Sequence, residues 1–312
     1  MPDFLSSYLH PYIADIMSRC TVHFREILFR NVHRAPVDIR LVAVVASYLN
    51  RGEGRIAYDV QGEGPLVVCL HGMGDLRSLY RFLTPALVEA GYQVATMDLR
   101  GHGDSDDGFS AYDDVAAGQD ALALVGNLDV GPALLVGNSM GGGVAVWAAA
   151  EKLAKVAGLA LVGPFVRNPK PNPLMALAYR LMLVKPWGSA AWDAYYRRSY
   201  PGRPPADLAE HQQRIRQSMR HGDHWRSFVE TTRTTHAPVE ARLDEVQAPA
   251  LVVMGEKDQD WPDPVAEARF IAEALDAEVL LVADAGHYPV AEYPELVNPA
   301  VIEFANRVHA PS

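Results

Sequence analysis

Short unbroken apolar runs, separated by stretches in which apolar residues recur at helical spacing, dominate most of this chain. Runs at 66–70, 92–97, 134–136, 157–162, 250–254 and 278–282 read as strands, and Leu66, Val67, Val68, Cys69, Leu70 is apolar without interruption. A half-exposed strand alternates apolar and polar residues. An unbroken run is how a strand covered on both faces reads, which favours a parallel sheet between helices. Ahead of these, 48–51 and 55–60 read as two short strands joined through Gly52, Glu53 and Gly54. Helices are expected over 77–90, 112–128, 144–150, 263–275 and 296–308, and this alternation predicts βαβ units with right-handed crossovers.

Two regions break the rhythm. Residues 163–248 hold Pro164, Pro169, Pro171, Pro173, Pro186, Pro201, Pro204 and Pro205, with helical pieces at 174–184, 189–198 and 207–220 and no convincing strand. An all-helical insertion between two strands of an α/β sheet is expected to fold over the sheet's C-terminal edge as a cap, where ligands bind in open α/β folds. Residues 1–45 suggest one or two short amphipathic helices broken by Pro11. There Asp3, Asp15, Glu26 and Asp38 dilute the basic face that a membrane-lying helix carries, so an N-terminal extension is expected. The expected organisation is an extension at 1–45, an α/β core at 46–162 and 249–312, and a helical cap at 163–248.

One junction carries candidate chemistry. Leu134, Leu135, Val136 run into Gly137, Asn138, Ser139, Met140, Gly141, and the Ala-rich stretch 144–150 follows, so Ser139 sits on a strand-to-helix turn. Glycines two residues before and after it leave room in a turn where side chains would strike the neighbouring strand or helix. A phosphate-cradling loop at a helix N-terminus has a similar composition; what separates the two is whether the chain supplies partners for the serine. A serine hydroxyl is a poor nucleophile and needs a base, itself oriented by a third group. His287 lies on the loop after 278–282, at the same sheet edge as the turn, and Glu256, Asp258 and Asp260 lie on the loop after 250–254.

The GxSxG turn, the DxRGxGxS loop of Asp98, Arg100, Gly101, Gly103 and Ser105, and the pair Gly286, His287 near the C-terminus together resemble the α/β-hydrolase superfamily over about residues 46–310. Within it the chain is similar to the capped serine hydrolases of the esterase, C–C hydrolase and haloperoxidase-like group. The resemblance implies an α/β-hydrolase fold: a mostly parallel central sheet, helices on both faces and a helical cap insertion. It implies the order Ser139, Asp258, His287 for nucleophile, orienting acid and base. Asp258 takes that place as the third residue after Gly255, with Asp260 and Glu256 as rivals and Asp260 the better placed to start the following helix. It further implies an oxyanion hole from the backbone N–H groups of Met140 and of Met73 in the turn His71, Gly72, Met73, Gly74. His71 and His102 receive packing roles, and the 98–105 loop a structural one. Ser139 stands where dehalogenases and epoxide hydrolases carry Asp, which argues against their chemistry.

The expected function is a cofactor-independent serine hydrolase that cleaves a carboxylic ester or similar acyl bond through an acyl-enzyme on Ser139. C–C bond hydrolysis or perhydrolase chemistry would use the same triad, and a ligand receptor would keep the fold without turnover. The expected partner is a small-molecule substrate with an apolar acyl group, because the cap offers Leu174, Met175, Leu177, Tyr179, Leu181, Met182, Leu183, Trp187, Trp192, Tyr195 and Tyr196. Trp192 and Tyr195 are the candidate pocket residues.

A formal charge of −10 argues against nucleic acid or an anionic membrane as the main partner. Two cysteines, Cys20 and Cys69, make no disulfide framework. No run of 18 apolar residues implies a transmembrane helix, and the first 17 residues lack the pattern of a signal peptide, so a cytoplasmic location is expected. No cofactor is implied. Nor is a metal: His221, Asp223 and His224 lack a fourth ligand at a recognised spacing and read as solvated cap surface.

Overall fold

A computed structural model describes residues 46–168 and 173–310; the extension expected over 1–45, including Cys20, lies outside the described residues, as do the side chains of Leu174 and Met175. Eight strands form one sheet: β1 (Ser47–Asn50), β2 (Arg55–Gln61), β3 (Leu66–Leu70), β4 (Gln93–Met97), β5 (Ala133–Asn138), β6 (Val156–Val162), β7 (Ala250–Gly255) and β8 (Glu278–Val282), in the order β1-β2-β4-β3-β5-β6-β7-β8. β1 with β2 and β2 with β4 pair antiparallel, and every other pair is parallel. The mostly parallel sheet of an α/β-hydrolase fold is therefore observed.

The unbroken apolar runs have a direct physical cause. Alternate residues of a strand face opposite sides, and here both sides are covered. Val68, Leu70, Leu135, Leu161 and Met254 belong to one core, while Val67, Cys69, Val136, Val162 and Val253 belong to the other. Each such side chain contributes about 1.5–3 kcal/mol on burial, so a polar residue at any of these positions would lose that and add a desolvation cost.

The helices of the α/β part are α1 (Leu83–Glu89), α2 (Asp114–Leu128) and α3 (Met140–Glu151). The single helix expected over 77–90 is instead a 3₁₀ segment, Arg77–Arg81, followed by α1. Pro85 explains the break: proline lacks an N–H and fits only the first turn of a helix, so α1 has to start at Leu83. α2 begins after Asp113, whose carboxylate caps it by accepting from Ala116 N at 2.8 Å.

Between β6 and β7 the described residues carry only helices: α4 (Pro173–Met182), α5 (Gly188–Arg198), α6 (Leu208–Ser218), α7 (His224–Thr231), α8 (Ala237–Glu240) and the 3₁₀ turn Leu243–Glu245. α7 and α8 were not foreseen, and α7 corrects one expectation. Its inward face is His224, Ser227, Phe228 and Thr231, spaced i, i+3, i+4, i+7, so His224 is buried rather than solvated, whereas His221 and Asp223 are exposed. The chain ends with α9 (Pro264–Leu275), the short α10 (Pro289–Glu292) and α11 (Pro294–Val308). No helix among the described residues is long and apolar enough to cross a membrane.

Candidate active site

Ser139 joins β5 to α3 with φ 55° and ψ −124°. A positive φ on a residue with a Cβ costs on the order of 1–3 kcal/mol and persists only where surrounding contacts enforce it. Those contacts are visible. Ser139 N donates to Val162 O at 3.0 Å, and Ser139 O accepts from Gly142 N at 2.9 Å and Phe165 N at 3.0 Å. The flanking glycines are needed because a Cβ on Gly137 would run into Gly141 O and one on Gly141 into Leu70 O.

The turn after β3 packs directly on this serine: a Cβ placed on Gly72 would lie 2.6 Å from Ser139 Cβ. Two buried histidines fix the turn. His102 Nε2 accepts from Gly74 N at 3.0 Å while Nδ1 meets Arg100 O at 2.9 Å; His71 Nε2 accepts from Leu99 N at 3.0 Å while Nδ1 meets Gly72 O at 2.7 Å. An imidazole that accepts at Nε2 and faces a carbonyl at Nδ1 carries its proton on Nδ1. Burial keeps both rings neutral, pushing His71 down to about 4 and His102 down to about 3. Gly72 O takes Asp75 N at 3.3 Å, and the amide of Met73 meets no acceptor among the described residues. Met140 N–H opens α3, where no intrahelical carbonyl can reach it and where the helix dipole is positive.

The 98–105 loop braces the same edge. Asp98 Oδ1 accepts from Arg77 N at 2.8 Å and Oδ2 from Asp104 N at 3.0 Å, while Ser105 Oγ links Asp98 O (2.8 Å) to Ala57 N (2.9 Å). Arg100 grips Asp120 at 2.6 and 2.9 Å.

His287 follows β8. Its ring is tied to the serine turn through the backbone, because Asn138 Nδ2 donates both to His287 O at 3.1 Å and to Val162 O at 3.0 Å. His287 Nδ1 meets Asp258 Oδ2 at 2.8 Å, which puts the proton on Nδ1 and leaves Nε2 as an acceptor. Among the described residues no hydrogen bond yet joins the imidazole to Ser139 Oγ; such contacts often tighten only when substrate binds. Burial alone would lower the imidazole's affinity for protons. The carboxylates of Asp258 and Asp260 override it and push His287 up to about 9.

The rivals separate clearly in space. Glu256 is exposed. Asp260 does not start α9: that cap is Asp263, which accepts from Ala266 N at 2.9 Å. The reason is distance along the chain, since the acceptor must stand at the residue just before the first helical turn. Asp260 instead turns back, its Oδ2 3.5 Å from His287 Nδ1 and its Oδ1 accepting from the Tyr195 hydroxyl. Burial raises its pKa, with the charge of Asp258 adding to the effect. The donor atoms of Asp258, Asp260 and His287 lie within 4.8 Å of one another, but each residue is already engaged in hydrogen bonds or ion pairs within the cluster or to Tyr195.

Trp192 and Tyr195 stack at 5.2 Å on α5. Trp192 is buried against Phe228, and its Nε1 donates to Gly74 O at 3.3 Å. Several residues around the site had no signal in the sequence. Asp75 is fully buried, accepting from the Tyr196 hydroxyl at 2.8 Å and meeting His211 Nε2 at 2.7 Å. Glu292 is also buried and accepts from Gly286 N at 2.6 Å and Gly202 N at 3.0 Å, holding the chain just ahead of His287. These partners stand 121 and 136 positions apart for Asp75, and 90 for Glu292 and Gly202. Local pattern cannot reveal such pairs.

Comparison with known proteins agrees with this fold. Residues 67–300 match the model of a family described as the alpha/beta hydrolase family. The chain is 32% identical over 277 residues to a Mycobacterium tuberculosis protein provisionally named non-heme bromoperoxidase BpoC, covering 82% of this chain and 99% of that one. It is 31% identical over 284 residues to the 2-hydroxy-6-oxononadienedioate/2-hydroxy-6-oxononatrienedioate hydrolase of Burkholderia vietnamiensis, covering 82% and 92%. Among solved structures, the bromoperoxidase of Bacillus anthracis superposes with a TM-score of 0.72 at 20% identity, covering 85% of this chain and all of that one, a likeness of fold.

Proposed function

The chain belongs to the alpha/beta hydrolase family, and from that premise we propose that it is a cofactor-independent serine hydrolase that cleaves a carboxylic ester or similar acyl bond through an acyl-enzyme on Ser139. The observation that carries this reading is a buried His287–Asp258 pair at 2.8 Å whose loop is tied, through Asn138 Nδ2 on His287 O, to the turn of the strained, glycine-flanked Ser139. His287 Nε2 takes the proton of Ser139 Oγ as that oxygen attacks the substrate carbonyl. The resulting oxyanion accepts from the free N–H groups of Met73 and Met140. Collapse expels the alcohol, which receives the proton from His287, and water activated by the same imidazole releases the acid. Asp258 holds the Nδ1 tautomer and stabilises the imidazolium. The substrate is a small molecule with an apolar acyl group, admitted under the helical insertion, whose inner residues set the choice.

A fluorophosphonate probe tests the reading. It should label the protein and not Ser139→Ala, and equal labelling of both would remove Ser139 as nucleophile. Because the base must be neutral and His287 is pushed up to about 9, the labelling rate should climb by about fiftyfold from pH 7 to pH 9, where half of the imidazole is neutral. A plateau already reached at pH 7 would contradict that charge environment.

A second reading has a specific motive in the Burkholderia vietnamiensis relative, named as a hydrolase of 2-hydroxy-6-oxo dienedioates. C–C hydrolysis of such an acid would use the same three residues. Turnover of a dioxo acid faster than of any ester in a panel of graded acyl length would make it the better description.

A further inference from the structure

Two consecutive tyrosines of α5 reach two different loops of the candidate active site. Neighbouring residues on a helix point about 100° apart. The hydroxyl of Tyr195 donates to Asp260, two residues after Asp258, and that of Tyr196 donates to Asp75 at 2.8 Å, two residues after Met73. The same helix makes further polar contacts with both loops. Trp192 Nε1 donates to Gly74 O at 3.3 Å. At its C-terminal end Ser199 O accepts from His287 N at 3.1 Å and Ser199 Oγ accepts from Gln259 Nε2 at 2.8 Å. Gly286 has no room for a side chain because a Cβ there would run into Ser199 O, so the end of α5 lies directly on the residue before His287.

We propose that α5 is a clamp that fixes the general base and the oxyanion-binding turn at their working separation, with Tyr195 and Tyr196 as positioning residues that act through Asp260 and Asp75. The proposal rests on the reading of Ser139, His287 and Asp258 as the triad and of Met73 as an oxyanion donor. Each tyrosine serves one side. Asp260 stands 3.5 Å from His287 Nδ1 as a second carboxylate, and Tyr195 turns it there and stabilises its charged form. Asp75 is fully buried, so its direction is set by Tyr196, by His211 on α6 and by its own Leu76 N at 2.7 Å, and through it the turn that carries Met73 is held. The groups around His287 are Asp258 and Asp260 on the acid loop, the rings of Phe165 and Tyr288, Glu292 behind Gly286, and the charge of Asp75 farther off.

The two arms predict different signatures, which a purely structural role would not separate. The measurement is the second-order rate of fluorophosphonate labelling against pH, with the melting temperature alongside. Tyr195→Phe weakens the charge of Asp260 beside the imidazole, so the acid limb of the profile should move to lower pH. Asp260→Asn should move it further in the same direction, and Tyr195→Phe added to Asp260→Asn should give no additional shift. Tyr196→Phe should instead slow labelling by about tenfold, the size of one hydrogen bond to a charged group, with the limb unmoved. Should the buried Tyr196→Phe fail to fold, the Tyr195 and Asp260 series decides alone.

If Ser139→Ala is silent while both tyrosine variants keep the wild-type rate and limb, the clamp is wrong and the triad reading stands. Equal slowing in both variants without any limb shift also overturns it, as general loosening would do that. Undiminished labelling of Ser139→Ala would bring down the triad reading and the clamp with it.

Discussion

The sheet and the helical insertion are held by different physics. In β3, β5 and β7 nearly every side chain is apolar and fully buried, and the strands are joined by regular backbone hydrogen bonds. The insertion shares an apolar core with the sheet through residues such as Trp192 and Phe228, but it also meets the elements at the sheet's C-terminal edge through buried and half-buried polar pairs: His211 and Tyr196 on Asp75, Tyr195 on Asp260, His236 Nδ1 on Asp114 at 2.7 Å, and Ser218 Oγ on Gly103 N at 2.9 Å. Apolar burial is non-directional and tolerates sliding, whereas a buried hydrogen-bonded pair permits one geometry and is costly when half-broken. The sheet therefore supplies stability, and the docking layer supplies the register between the insertion and the loops that carry Met73, Asp258 and His287.

The largest effect that tests this contrast is expected from the loop of the proposed orienting acid, which belongs to neither. Asp258→Asn should lose about 10⁴ in turnover, because the amide presents an N–H to Nδ1 and favours the wrong tautomer, with little change in melting temperature. Asp260 cannot take over without releasing Tyr195 and closing from 3.5 Å. Retention of more than a tenth of the activity would move the orienting role to Asp260.

A pair of smaller changes tests the contrast itself. His211→Ala leaves the fully buried Asp75 short of one hydrogen-bond partner, which should cost about 1–3 kcal/mol of stability and also slow acylation, since Asp75 adjoins the turn of Met73. Leu135→Ala, in the middle of β5 with no exposure, should cost about 2–5 kcal/mol while folded molecules keep their labelling rate. Thermal melting and labelling rate per folded molecule, measured on both, check this. If Leu135→Ala slows labelling as much as His211→Ala does, the division between a stabilising sheet and a registering layer is wrong.

What was legible in the sequence follows the same division. A parallel strand declares itself locally, as Leu66 to Leu70 did, because both faces must be apolar whatever the partners are. The serine turn was legible for a partly similar reason: Gly137 is required by the backbone of Gly141 four residues on, while Gly141 answers to Leu70 O on the neighbouring strand and is readable only from the turn motif. Even there the ends moved where a single residue ruled, as Pro85 did for α1. The insertion is different. Its helices show amphipathic spacing, but which polar residue meets which loop depends on pairs 65 to 136 positions apart. Tyr195 reads as a pocket residue from its ring, and only the fold shows its hydroxyl on Asp260. His224 reads as surface beside His221 and Asp223, until α7 turns it inward.

The smallest expected effect concerns the two methionines, and it separates backbone from side chain. If the oxyanion is bound by the N–H groups of Met73 and Met140, the thioethers only fill space around them. Met140 is buried at the start of α3, Met73 is partly buried against the same core, and leucine is close to methionine in volume. Swaps of that kind usually cost less than about 1.5 kcal/mol, and neither removes a main-chain donor. Met73→Leu and Met140→Leu should therefore keep most of the wild-type labelling rate and ester turnover. Loss of a real oxyanion donor is worth roughly 3 kcal/mol, about a hundredfold or more in rate, so the two outcomes are well separated. A hundredfold loss in either variant, with melting temperature preserved, would mean that the sulfur or the exact path of its side chain takes part in the site, and that the turn at Met73 is shaped from its side chain as well as from the clamp below it.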